Sequence, residues 1–131
     1  YTAPDGKNAF VGSMAMDSQG NIGMGYTSMS TTENIAINYT GRFANDPLGQ
    51  MTISEENIAT STSNPNSCGG RYADYAHLSV DPTNDKTFWF VSEYFSPGRR
   101  DVVGAFQIAA DFANDIGIVG INSPISGTLT S

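Results

Sequence analysis

Residues 71–95, RYADYAHLSVDPTNDKTFWFVSEYF, decide the fold. Their last ten, KTFWFVSEYF, crowd Thr, Phe, Trp, Val and Tyr into one run. Branched and flat side chains pack well on a pleated strand and lose rotamer freedom in a helix. Alternation puts Phe88 and Phe90 on one face and Trp89 on the other. Before that run, PTND at 82–85 is hairpin-turn chemistry: Pro presets φ, and Asn and Asp side chains cap nearby backbone N–H groups. RYADYAHLSVD at 71–81 then reads as the partner strand.

The same grammar extends outward. Residues 9–16, AFVGSMAM, form a strand that runs into the polar turn DSQGN, where Gly20 is expected at positive φ. Residues 22–29, IGMGYTSM, form a second strand, whose two glycines predict close packing of its backbone on a neighbour. Residues 34–43, NIAINYTGRF, alternate cleanly, with Ile35, Ile37 and Tyr39 opposite Ala36, Asn38 and Thr40. After the NDPLG turn, residues 50–59 read as an outer, more polar strand. Residues 60–70, TSTSNPNSCGG, have no apolar period and read as a long loop. Beyond the turn SPGRR, residues 101–112 read as a further strand, and the tail ends rich in Ser and Thr. The SEEN stretch at 54–57 is the one hint of helix, and frequent Gly and β-branched residues argue against sustained helices. The expected class is all-β.

Composition narrows the function. The 131 residues carry 13 acidic and 6 basic side chains, a formal charge of -7. A negative surface cannot release phosphate counterions, so nucleic acid is not an expected partner. No apolar run approaches the ~18 residues of a membrane span. Residues 1–13 lack the basic start and apolar core of a signal peptide, so a secreted protein is expected here in mature or truncated form. The chain has one Cys and one His. That excludes an internal disulfide framework and a structural zinc site built from Cys and His.

The strands fall into two divergent units of about 45–50 residues, the period of four-stranded propeller blades, although paired hairpins also occur in sandwiches. MAMDSQGNIGMGYT (14–27), INYTGR (37–42), DPLG (46–49) and RYADYAHLSVDPTNDKTFWFVSEY (71–94) resemble blades of a sialidase-like β-propeller of large secreted or surface-anchored bacterial proteins. The tail from Asp115 resembles the opening of an Ig-like module. The resemblance has departures: Lys86 stands where relatives often carry Cys, and residues 13–20 keep Asp17 and Gly20 of the sialidase Asp-box without its Thr-Trp. It implies a partial β-propeller of about two four-stranded antiparallel blades, incomplete on its own. Its expected parts are a first blade at 1–59, a Ser/Gly-rich loop at 60–70, a second blade at 71–113, and a linker or Ig-like start at 114–131.

Several residues are candidates for chemistry. Sialidase-type hydrolysis needs an arginine cluster, a Tyr nucleophile backed by Glu, and an Asp acid. Arg42, Arg71, Glu93, Tyr94 and Asp74 supply the residue types, but two blades do not supply a whole active site. Arg71 and Asp74 are therefore expected as a structural pair stitching adjacent strands. The expected ligand-binding residues are Arg71, Asp74, Trp89 and Glu93, with an exposed Trp89 serving as a stacking platform for a glycan. Cys68 and His77 are read as an incidental thiol and a strand histidine. Asp17 and Asn21 in one turn, with Gln19, and Asp81 and Asp85 in another, with Asn84, offer oxygens to Ca2+ or, more simply, caps to the hairpins. Asn38-Tyr39-Thr40 matches the N-glycosylation acceptor pattern.

The expected function is a non-catalytic module of the bacterial cell surface or secreted space, serving adhesion, assembly or glycan or protein binding. The expected partner is the remainder of a larger polypeptide, or another chain, completing the sheet. The alternatives are an accessory propeller domain of a secreted hydrolase and a self-assembling surface filament subunit.

Overall fold

A computed structural model describes residues 1–3, 5–63 and 71–109. Among these the fold is all-β, with seven strands in two open antiparallel sheets and no helix. The first sheet is the meander β1 (Asn8–Met16), β2 (Ile22–Met29), β3 (Ala36–Arg42) and β4 (Ile53–Thr60), and the second is β5 (His77–Val80), β6 (Phe88–Phe95) and β7 (Arg99–Phe106). Neither sheet closes into a barrel. The sheets stack face to face in matching order: β1 lies on β5, β3 and β4 on β6, and β4 on β7.

The turns behave as their residues dictate. Gly20 sits at φ +83 and Gly98 at φ +78, in the left-handed region that favours glycine. Asp17 closes its turn by accepting the backbone N–H groups of Gln19 at 2.8 Å and Asn21 at 2.9 Å, and the Asn21 side-chain amide at 2.8 Å. A break in β1–β2 register between Phe10 and Ser13 leaves Val11 at φ 52. That is a β-bulge, which bends the first strand.

Glycines and rings interlock at the core. The paired strands β2 and β3 present Gly23, Gly25 and Gly41 toward the second sheet, and Phe88, Phe90, Phe106 and Ile108 occupy the space where side chains would stand. A Cβ on Gly25 would come within 2.3 Å of the Phe90 ring, and one on Gly41 within 2.3 Å of Ile108. Phe88 and Phe90 are consequently 0% exposed. Ile35, Ile37, Ile58, Leu78 and Phe95 complete the cluster. The close packing expected from the two glycines of residues 22–29 is thus present.

Strand boundaries in the second sheet depart from the sequence reading. Residues 71–81 were expected to form a continuous strand, and only His77–Val80 do. Ala73 stands at φ 52, which breaks the pleat, and Ala76 N–H closes a turn on the Ala73 carbonyl at 3.2 Å. β7 begins at Arg99, two residues before the expected start at Asp101, and ends at Phe106. Residues 107–109 lie beyond that strand, and the expectations for Cys68, for residues 110–112 and for the 114–131 segment lie outside the described residues.

Candidate functional site

The departure at residues 71–76 builds the one charged cleft among the described pockets. Tyr72 anchors the segment, its ring lying 5.9 Å from those of Phe10 and Phe95, while its hydroxyl donates to the Glu93 carbonyl at 2.6 Å. Ala73 is buried, and its N–H donates to Glu93 Oε2 at 2.9 Å. Arg99, at the start of β7, donates from Nη2 to the Arg71 carbonyl at 2.8 Å, and its Nη1 lies 3.5 Å from Glu93 Oε1. Glu93 thus acts as a buckle, holding the segment with one carboxylate oxygen and Arg99 with the other.

The result is a cleft of about 250 Å³ lined by Arg71, Tyr72, Ala73, Asp74, Tyr75, Glu93 and Arg99. Two guanidinium groups and two carboxylates balance its formal charge. Arg71 and Asp74 pair at 2.9 Å, closing a single i,i+3 turn rather than joining adjacent strands as expected. Tyr75 stands at the rim, 86% exposed. Planar donors, carboxylate acceptors and an exposed ring meet in one place. That combination sets directional polar groups beside a flat apolar surface.

Three of the four expected ligand-binding residues, Arg71, Asp74 and Glu93, come together here. Trp89 does not: it lies four residues from Glu93 along β6, about 13 Å at the usual strand rise. Its indole N–H donates to Asp81 Oδ2 at 3.1 Å, and 43% of the residue is exposed. Tyr75 and Arg99 join the cleft without a sequence signal, since alternation assigns Tyr75 to a strand and SPGRR assigns Arg99 to a turn.

The remaining hydrolase candidates are dispersed. Arg42 is buried and donates to the Asp46 carbonyl, which makes it a clip within its own loop. Tyr94 alternates with Glu93, so their side chains leave β6 on opposite faces and Tyr94 packs against the core. A tyrosine backed by this glutamate is therefore not assembled. His77 is exposed on β5.

The two acidic turns touch through the Ser18 N–H, which donates to the Asp85 carbonyl at 2.8 Å. The carboxylates of Asp17 and Asp81 serve internal donors. Asp81 accepts from Thr83 N–H at 2.8 Å and from Trp89, and these bonds, the Thr83 backbone bond first, hold its carboxyl below the usual range. Among the described residues no three His, Cys, Asp or Glu side chains converge as a metal site. The glycosylation pattern is internal: Asn38 is 2% exposed, donates to Ser28 Oγ at 2.7 Å and accepts from Asn57 at 2.9 Å.

A second, apolar pocket of about 160 Å³ lies on the first sheet, lined by Tyr1, Ala9, Phe10, Gly12, Met24 and Tyr26. The Tyr26 phenol beneath it donates to the Glu55 carboxylate and is raised above its ordinary range, first by burial and then by that bond.

No protein-family model, curated protein or solved structure matches the chain. No helix among the described residues is long and apolar enough to cross a membrane.

Proposed function

We propose that this chain is a non-catalytic glycan-binding segment of a sialidase-like β-propeller, exposed on the bacterial surface or secreted as part of a larger protein. The observation that carries the binding reading is the cleft, where Arg71, Asp74, Glu93, Arg99 and the exposed Tyr75 meet. Carbohydrate recognition needs directional polar groups for hydroxyls and a flat apolar surface for the ring face, both held rigidly. Glu93 supplies the rigidity by fixing the segment that carries Tyr75. The propeller reading is supported by the two meanders stacked in the same strand order, and the surface setting by the low content of charged residues. Separation of Tyr94 from Glu93, and of Arg42 from Arg71, favours binding over hydrolysis.

A glycan-array screen followed by calorimetry tests the reading. The expected result is binding to a subset of glycans that falls at least ~10-fold in Tyr75→Ala and in Arg71→Ala, while Trp89→Ala binds as wild type. Repeating the screen with a calcium chelator separates this cleft, which uses no ion, from the acidic turns. A flat array, or hits untouched by both cleft substitutions, overturns the assignment.

A further inference from the structure

The outer face of the second sheet carries a group of partly exposed apolar residues. Trp89, Val91 and Val103 lie there 43%, 36% and 42% exposed. Register sets them in two rows across the sheet, Ser79–Trp89–Ala105 and His77–Val91–Val103. An apolar patch at the centre of a sheet, away from any turn, is the kind of surface soluble proteins normally cover. The opposite end of the stack carries its counterpart. There the outer face of the first sheet exposes Met14 and Met16, each 62%, beside the apolar pocket of Tyr1, Ala9, Phe10, Gly12, Met24 and Tyr26.

The stacking order says how these surfaces relate. Strand order matches across the stack, and the stacked strands also run the same way. Gly23 and Gly25 meet Phe88 and Phe90 in turn, and Ser13 and Ser18 meet Leu78 and Asp85. The second sheet therefore repeats the first along the stack rather than facing it through a two-fold axis. Applying the same step again seats another first sheet on the Trp89 face. The knob and the hole fit this step: the knob is a flat indole fixed by its bond to Asp81, and the hole is an apolar pocket of about 160 Å³. A cavity of ~150 Å³ suffices for a single benzene ring, so an open pocket of this size takes part or all of an indole.

We propose that the Trp89 face of one copy packs onto the Tyr1–Met24 face of a second copy, with Trp89 entering the pocket, in a head-to-tail contact between sheet faces. Such a contact is heterologous, and it propagates into a ring when the rotation closes or an open stack when it does not. Each copy carries a charge of -7, so the contact strengthens as salt screens the repulsion.

The chain has a single tryptophan, so its fluorescence reads this contact directly. With rising concentration of residues 1–131 in 0.3 M salt, the expected result is growth beyond the monomer in sedimentation velocity, with a parallel blue shift of emission. Trp89→Lys and Gly12→Arg each remain monomeric alone; a Cβ at Gly12 meets nothing nearer than 4.0 Å, so that substitution disturbs the pocket and spares the fold. Mixed, the two variants form a 1:1 dimer that grows no further, since only one intact knob and one intact hole remain. A wild-type chain that stays monomeric with unshifted emission overturns the proposal, whatever the variants do, and leaves the face to another protein. Dimers of Gly12→Arg alone, or undiminished assembly of Trp89→Lys, overturn it equally.

Discussion

Strand β6 has two faces built from neighbouring residues with opposite fates. Phe88 and Phe90 are 0% exposed, whereas Trp89 between them is 43% exposed. All three are large aromatic residues, so hydrophobicity does not separate them. What separates them is the surface opposite: Gly23 and Gly25 make room for the phenylalanine rings, whereas Trp89 lies on the outer face of its sheet, held at its edge by Asp81. Burial in this molecule is thus a property of matched pairs, a ring on one sheet and a missing side chain on the other.

The sharpest way to break the comparison is to truncate each side. Phe90→Ala removes a ring that the glycines cannot collapse onto, and it should cost about 3–5 kcal/mol in urea unfolding. Trp89→Lys, measured in dilute solution where copies do not meet, should fall within about 0.5 kcal/mol of wild type. Equal losses at the two positions would refute the pairing. Approached from the other sheet, Gly25→Ala places a Cβ 2.3 Å from the Phe90 ring and should cost about 1–3 kcal/mol through overpacking. Adding Phe90→Leu should then be less damaging than the two single losses summed, because the substitutions share one space.

A smaller effect lies at the cleft. Ala73 is held at φ 52, where a Cβ is strained, and Ala73→Gly should raise stability by about 1 kcal/mol. An unchanged or lower midpoint would mean that the buckle around Glu93 tolerates the strain without cost. The smallest effect is spectral. Asp81 holds the Trp89 indole, and its carboxyl titrates below the usual range, with the Thr83 N–H the larger cause. Its contribution is therefore complete above the unfolded value near ~3.9 and fades as pH falls through the lower folded value. An acid titration of Trp89 emission should show its midpoint below ~3.9, and Asp81→Asn should abolish the step.

Much of this was legible from residues alone. The alternation separates Phe88 and Phe90 from Trp89, and the structure shows the phenylalanine face to be the buried one. The glycines of β2 read as close approach, and the turn at Gly20 follows from its residues. The cleft was half legible. Arg71, Asp74 and Glu93 stood out by type, but their meeting depends on Ala73 at φ 52, and alanine carries no sequence signal for that conformation. Because the segment was read as a strand, Tyr75 became an alternating residue instead of an exposed rim. Arg99 was lost because charged residues after Gly98 resemble a turn, although they begin β7. The exposure of Met14 and Met16, each 62%, on the outer face of the first sheet has no signal in the uneven alternation of residues 9–16.

The buried Asn38 has a consequence for anyone producing this chain. In a eukaryotic secretory host, the oligosaccharide transferase needs an open, flexible acceptor, and Asn38 offers that only before β2, β3 and β4 have paired through Ser28 and Asn57. A sugar at that position would then act as a time stamp. Its occupancy would count the molecules that met the enzyme before the first sheet closed, and speeding or slowing that closure would be readable as a band shift on a gel.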